Sequence, residues 1–535
     1  MRRDDSLRQV LERREPWDLA VVGGGATGVG VAVDAAARGY AVALFEQSDF
    51  GKGTSSRSTK LVHGGVRYLQ QGNISLVLDA LKERGLLLRN APHIVRDLQF
   101  VVPNYQWWEA PFYGLGLKVY DVLAGRYGFG PSQLLSREEV LERIPTLERE
   151  GLRGGVKYHD GQFDDSRLLV NLAQTAAERG ACLLNYTRVV RLFKDAEGYV
   201  SGLEVLDEES GRSHGVAARS VVNATGPFCD GLRRLDDPAA PAMVSPSQGV
   251  HIVLPRDFLP GATAIMVPHT RDGRVMFAIP WHGHVLVGTT DTPIATVSLE
   301  PEPLDAEVDF ILETASDYLA RRPARSDILS AFAGIRPLVK EGGASATATL
   351  SRDHKIQISA SGLLTITGGK WTTYRRMAED CVDHATVLAR LDERPCVTRE
   401  LRIHGHDPQA NRFGPLAGYG TDAEGLGALM RERPELAEPL HDALPIAAAQ
   451  VVWAARHEMA RTVDDVLARR TRALCLNARA ALAMAPEAAR LLAAELGRDE
   501  AWQRDQVEAF GRIAGRYLVN VEPRFPGSAR PGSAL

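Results

Sequence analysis

The chain has 535 residues, too many for one hydrophobic core, so two or three domains are expected. Its 44% hydrophobic and 24% charged residues make an ordinary globular balance, and 63 basic against 67 acidic side chains leave no basic excess of the kind that grips nucleic acid. Cys182, Cys229, Cys381, Cys396 and Cys475 are scattered with no C-x-x-C pair, which argues against a zinc or iron–sulfur site and fits a reducing cytoplasm.

Residues 1–15 read as a short amphipathic helix with Leu7, Val10 and Leu11 on one face and Pro16 after it. This segment is highly charged and lacks the apolar centre of a signal peptide. No apolar run reaches the length of about 18 residues that a membrane-crossing helix needs. Next come an apolar strand running into glycines (DLAVVGGG), a helix ending at Gly39 and a second apolar strand (YAVALFEQ). Both strands are apolar throughout, as in a parallel sheet buried on both faces.

Gly23, Gly25 and Gly28 form G-x-G-x-x-G between the first strand and the helix. In this motif the first glycine makes a tight turn, the second lets a pyrophosphate approach the backbone, and the third lets helix and strand pack closely. The phosphates then meet the free N–H groups of the helix start. Glu46, at the end of the second strand, is placed to accept hydrogen bonds from ribose hydroxyls. Two later strands also end in glycine: Val221–Val222–Asn223 into Ala224–Thr225–Gly226, and Leu364–Thr365–Ile366–Thr367 into Gly368–Gly369–Lys370. The fingerprint alone does not separate FAD from NAD, but the end at Ala224–Thr225–Gly226 resembles the second flavin motif of two-domain flavoproteins. Three such ends spread along the chain suit one long cofactor, which that resemblance makes FAD, on a sheet assembled from distant segments.

From about residue 150 to 400 the pattern is mixed. GVHIVLP, RVMFAIP and HVLVGTT read as strands of an antiparallel or mixed sheet, and Arg167 to Arg179 as a helix. After Leu401 a Gly/Pro/Asp-rich linker leads into sequence rich in Ala, Leu, Arg and Glu with few strand formers. Residues 402–535 are therefore expected to be a separate helical domain, with a disordered tail PGSARPGSAL. Residues 1–401 are expected to interleave an FAD-binding domain with a substrate-binding sheet domain. The expected class is α/β, with a glutathione-reductase-like FAD-binding fold, a mixed or antiparallel substrate sheet and a C-terminal all-helical cap.

TSSRSTKLVHGGVRYL, ALKERGLLLRNAPHIV, VVNATGPF, IPWHGHVLVGTTDT, GIRPL, GGKWTTYRRMAED and RHEMARTVDDVLARRTR resemble, in this order, the motifs of FAD-dependent glycerol-3-phosphate dehydrogenases. The resemblance runs from about residue 17 to 515. Without a C-terminal cysteine cluster, the chain resembles the single-subunit, quinone-linked form. Two features depart from the pattern: Arg57 stands among small residues, and segment 104–130 is aromatic-rich.

The resemblance implies oxidation of glycerol 3-phosphate to dihydroxyacetone phosphate, with electrons passing to a membrane quinone. It implies phosphate binding by Arg67, Tyr68 and Arg352, and cofactor contacts by Thr54, Ser55, Ser56, Lys60 and His63. It also places Arg336 over the flavin beside the substrate oxygen, and Lys370 near the N5–O4 edge. Fork-like guanidinium donors suit phosphate and developing alkoxide charge. His251 is the leading base, since imidazole titrates in the useful range; a satisfied core histidine is the alternative, and His63 competes for the role.

The apolar and aromatic residues Trp107, Trp108, Phe112, Tyr113, Leu115, Leu117, Val119, Tyr120, Val122 and Leu123 suggest peripheral docking on the inner face of a membrane. A helix buried against the cap is the competing reading. Three other functional readings stay open: a soluble oxidase of glycerol 3-phosphate using oxygen, an amino-acid or amine oxidase on the same fold, and a non-catalytic flavin binder. A homodimer is also left open.

Overall fold

The structure is a computed structural model that describes residues 1–65, 74–268, 270–271, 273–340 and 353–520. Arg67, Tyr68, Arg352 and the tail PGSARPGSAL lie outside the described residues.

The predicted β-α-β unit is present as strand Trp17–Val22, helix Ala26–Ala37 and strand Val42–Phe45. Trp17–Val22 lies at the centre of a sheet, parallel to Val42–Phe45 on one side and to Arg212–Asn223 on the other. Beyond these, Cys182–Leu184 and Leu364–Gly368 extend the sheet, again in parallel. Trp17–Val22, Val42–Phe45, Cys182–Leu184 and Leu364–Gly368 are buried almost throughout, and Arg212–Asn223 is buried over its last four residues, which explains the unbroken apolar sequence there. The three glycine-ended strands named above thus lie side by side, and their carboxyl ends open on one edge.

The helix Ala26–Ala37 packs close to this sheet because Gly28 has no side chain. A Cβ there would come within 1.9 Å of the Gly23 carbonyl oxygen. Gly28 is therefore the packing glycine of the fingerprint.

The second sheet is mixed. The long strand Val244–Pro255 pairs antiparallel with Ser330–Val339 and with His284–Gly288. Arg96–Asn104 joins Gly154–Gln162 antiparallel and Ala264–Val267 parallel.

The chain after Asp422 is mainly helical, with its main helices at Ala478–Leu496 and Glu500–Ala514. Two features there were not expected from sequence. A two-stranded hairpin joins Pro439–His441 to Leu444–Ala447, and Asp465–Arg470 forms a π-helical turn. The helical part shares one apolar core with the mixed sheet, in which Phe100, Tyr158 and Trp281 meet Leu467, Leu474 and Met484.

The N-terminal helix is shorter than its 1–15 expectation, spanning Arg3–Glu12. Val10 is buried, but Leu11 faces outward. Arg3, not a third apolar residue, completes the inner face by pairing with Asp207. Among the described residues no helix is long and apolar enough to cross a membrane.

Candidate functional site

Two joined cavities cross the molecule where the parallel sheet meets the mixed one. The larger, about 840 Å³, starts at Gly23, Gly25 and Glu46 and passes Thr54, Ser55, Ala224, Thr225 and Gly226. The smaller, about 320 Å³, holds His63, His251 and Arg336. They share Thr54, Pro337, Gly368, Gly369, Lys370 and Trp371, so the pair forms one elongated slot. Their size and continuity are what a large extended ligand requires.

At the dinucleotide end, the helix Ala26–Ala37 begins at Gly25, which has no side chain to cap its first turn. Ala26 N–H donates to Ser55 Oγ at 2.9 Å. This helix start offers an anion N–H groups and the positive end of the helix dipole. Glu46 accepts from Gly24 N at 2.6 Å and Ser48 N at 2.9 Å. Burial pushes its carboxyl upward, while those two N–H groups pull the other way. Its carboxylate is therefore fixed in place at the mouth of the larger cavity, where a ribose would lie.

The segment 54–60 is tied to several distant parts of the chain. Thr54 Oγ1 donates to the Ile335 carbonyl at 2.6 Å, and Trp371 Nε1 donates to the Ser55 carbonyl at 2.8 Å. Ser58 donates from both N and Oγ to Asp165, at 3.0 and 2.7 Å.

Two expected cofactor contacts are corrected here. Lys60 is fully buried away from the slot, its Nζ bonded to Asp165 at 2.7 Å and to the Ser56 carbonyl at 2.8 Å. Its backbone is left-handed, with φ 64°, a conformation uncommon for a residue other than glycine. Burial lowers its pKa, and Asp165 opposes that shift. Ser56 is buried as well, and its carbonyl serves Lys60 and Arg472. Both residues hold the loop and do not line the slot.

The catalytic candidates are set by strand register. Side chains alternate across a strand. Ser247, Gly249 and His251 therefore share one face, opposite Arg336, Gly334 and Phe332 on the neighbouring strand. A Cβ on Gly249 would collide with the Arg336 guanidinium, and one on Gly288 would collide with the His251 ring. These glycines clear space for the two functional groups.

Arg336 donates to Asp291 at 3.3 Å, to Thr289 Oγ1 at 3.2 Å and to the Thr290 carbonyl at 3.0 Å. Asp291 in turn accepts from Ser247 Oγ. His251 stacks on Phe332 with ring centroids 5.2 Å apart, and its Nε2 lies 2.9 Å from Thr59 Oγ1. Burial, with help from Lys60 and Arg336, holds the imidazole pKa well below its usual value. The shift favours the neutral imidazole, which has a lone pair to accept a proton but is a weaker base than a free histidine. Lys370 reaches both cavities from its position after the two glycines.

Sequence reasoning quoted the segments containing Thr59, Asp291 and Trp371 without singling these residues out. Arg472 likewise ends the quoted RHEMARTVDDVLARRTR without being singled out, and Asp165 was missed altogether. An Asp–Asp pair before an apolar helical run reads as an N-cap, which Asp164 is; nothing local shows that Asp165 meets Lys60 and Arg472.

A family profile described as "FAD dependent oxidoreductase" matches residues 18–375, and one described as "C-terminal domain of alpha-glycerophosphate oxidase" matches 364–503. The chain is 41% identical to the mitochondrial glycerol-3-phosphate dehydrogenase SDP6 of Arabidopsis thaliana, over 96% of this chain and 88% of that one. It is 40% identical to the mitochondrial glycerol-3-phosphate dehydrogenase of Homo sapiens, over 93% of this chain and 73% of that one.

Among solved structures, the glycerol-3-phosphate dehydrogenase of Bacillus halodurans complexed with FAD superposes with a TM-score of 0.79 at 31% identity. That match covers 98% of this chain and 99% of the other. The L-alpha-glycerophosphate oxidase of Mycoplasma pneumoniae, at 17% identity and TM-score 0.55, shares the fold. The slot fits FAD on its own geometry, with the glycine-led helix start and Glu46 at one end and Gly368–Lys370 where the two cavities join. From this fold, this cofactor slot and these relatives, the chain belongs to the FAD-dependent glycerol-3-phosphate dehydrogenase family.

Proposed function

We propose that the chain oxidises sn-glycerol 3-phosphate to dihydroxyacetone phosphate and passes the electrons to a membrane quinone. In this reading it is docked on the inner face of the membrane without spanning it. The observation that carries the reaction is the pairing, inside one slot, of Arg336, held by Asp291, Thr289 and the Thr290 carbonyl, with the buried His251. Bound FAD supplies the two-electron acceptor for the carbon-bound hydride.

The protein's part is to position and to manage charge. Arg336, already fixed by Asp291 and Thr290, faces the oxygen that loses its proton and stabilises charge developing there. His251 accepts that proton. Arg67, Tyr68 and Arg352 hold the phosphate, a role supported by the family resemblance of their motifs.

The helix Glu109–Ala124 supports the membrane reading. Its buried side is Tyr113, Leu117, Tyr120 and Ala124. The other side carries Trp108, Phe112, Leu115, Val119 and Val122, spaced as one helical face and exposed, with Leu115 71% and Val122 80% accessible. Tyr113, Leu117 and Tyr120 therefore drop out of the docking surface expected from sequence, and Trp107 stays in it at 75% exposure. Exposed tryptophans beside aliphatic residues suit a headgroup boundary.

Flotation with anionic liposomes should carry the protein upward, and a Trp107→Glu, Leu115→Glu double variant should stay below with flavin reduction intact. A short-chain quinone should then accept electrons in stoichiometric amounts. A protein that ignores liposomes and releases stoichiometric hydrogen peroxide in air would be an oxidase, and the quinone and membrane parts of the proposal would fall.

A further inference from the structure

We propose that Thr59 is a catalytic proton relay, carrying the substrate hydroxyl proton to His251; the inference rests on the reaction proposed above. His251 is only 2% exposed. Its Nε2 faces Thr59 Oγ1 at 2.9 Å, and its Nδ1 is enclosed with no hydrogen-bond partner among the described residues. Each imidazole nitrogen offers a single in-plane site. A substrate hydroxyl can therefore reach Nε2 only by displacing Thr59 or by acting through it.

Thr59 is positioned for the second route. It is partly exposed and lines the same cavity as Arg336, while its neighbours are fixed. Ser58 on one side is bonded twice to Asp165, and Lys60 on the other is ion-paired to the same carboxylate at 2.7 Å. Arg472, from the C-terminal domain, closes this arrangement with bonds to Asp165 at 3.1 Å and to the Ser56 carbonyl at 2.7 Å. A threonine whose two neighbours are clamped in this way has its hydroxyl held within reach of the imidazole.

The step balances as follows. The substrate O–H bond breaks and a new Thr59 Oγ–H bond forms, while the proton Thr59 already carried passes to His251 Nε2. The carbon–oxygen double bond forms as the carbon-bound hydride leaves, and the bound flavin gains that electron pair. Burial, with Lys60 and Arg336 adding to it, disfavours the protonated form of His251 at rest. Proton transfer is thereby coupled to hydride departure, when the hydroxyl becomes strongly acidic.

Thr59→Val keeps the branched shape and removes the hydroxyl, and Thr59→Ser keeps the hydroxyl. In anaerobic single-turnover reduction, Thr59→Val should be slower by about 10²-fold, the lower end of the range for general acid–base groups. Flavin content and the calorimetric Kd for glycerol 3-phosphate should stay within a factor of about two, as for a group acting only in the transition state. Thr59→Ser should recover most of the lost rate. Wild-type reduction in mixed light and heavy water should give a curved proton inventory, the sign of two protons moving together.

Reduction of Thr59→Val at the wild-type rate would overturn the relay. So would a linear, one-proton inventory in the wild type, a measurement that does not depend on whether the variant folds. If glycerol 3-phosphate fails to reduce the wild-type flavin, the proposed reaction fails instead; the Val/Ser pair then tests the relay with whichever secondary alcohol does reduce it.

Discussion

Arg336 is held from three directions before any substrate arrives, by Asp291, Thr289 and the Thr290 carbonyl. A charge fixed in advance costs no reorganisation during the reaction, and that is where its catalytic value lies. Arg336→Lys keeps the charge and loses the fork. Steady-state kinetics should show kcat falling about 10²- to 10³-fold, the loss typical of one oxyanion donor, with little change in KM. A rise in KM at unchanged kcat would make Arg336 a simple binding group. Gly28 is a different kind of constraint, because the atom in its way is backbone. In Gly28→Ala the new methyl meets the Gly23 carbonyl, which cannot turn aside. The protein should purify without its yellow colour, with a lowered ratio of 450 nm to 280 nm absorbance, and lose about 1–3 kcal/mol of stability from overpacking. At this scale the sequence was readable where function depends on local chain geometry, as in the glycines and Glu46. It misled at Lys60, whose partner Asp165 lies 105 residues away and whose adjacency to the slot loop suggested the wrong contact. Arg57, noticed only as a departure from the family pattern, is likewise fixed by remote groups, the Leu299 carbonyl and Glu300.

At the scale of elements, hydrophobic periodicity located the strands that end at the slot and the helix Ala26–Ala37 between the first two, since each buries a face that its own residues define. It could not say which half of the helix Glu109–Ala124 turns inward, because both halves are apolar; only packing against Leu81, Val77 and the mixed sheet decides this. The join between the helix Asp165–Glu178 and the C-terminal helices was equally invisible. There His404 sits between Glu178, 2.5 Å from its Nδ1, and Asp422, 2.9 Å from its Nε2. Burial works against the charged imidazole, but the two carboxylates outweigh it and raise the pKa from 6.5 to about 9. A raised pKa means that folding favours the protonated ring. The link contributes fully below pH 6.5 and is lost as the pH rises through about 9. Thermal melts of wild type and His404→Gln should therefore differ most near pH 6 and converge by about pH 10. A gap that is constant with pH would show that His404 contributes packing alone.

At the scale of the whole molecule, the C-terminal domain is part of the wall behind the cofactor slot. Arg470 binds Asp49 with two bonds, of 2.5 and 2.8 Å, and Lys52 reaches Asp464 at 2.5 Å. Arg470 and Arg469 hold the Asp49 carboxyl below its usual range against the opposing effect of burial. These buried pairs lock the loop that follows Glu46 to a segment more than 400 residues later, a relation that no local pattern in the sequence carries. The order of the motifs did carry the architecture, because each glycine-ended strand marks its own place at the sheet edge.

The central claim, that this slot holds FAD and reduces it with a phosphorylated secondary alcohol, is tested most directly by anaerobic titration of the purified yellow protein with glycerol 3-phosphate. The account predicts stoichiometric loss of the flavin absorbance near 450 nm, formation of dihydroxyacetone phosphate, and little or no bleaching by unphosphorylated glycerol or by amino acids. A flavin that stays oxidised under glycerol 3-phosphate while an amino acid bleaches it would contradict the account.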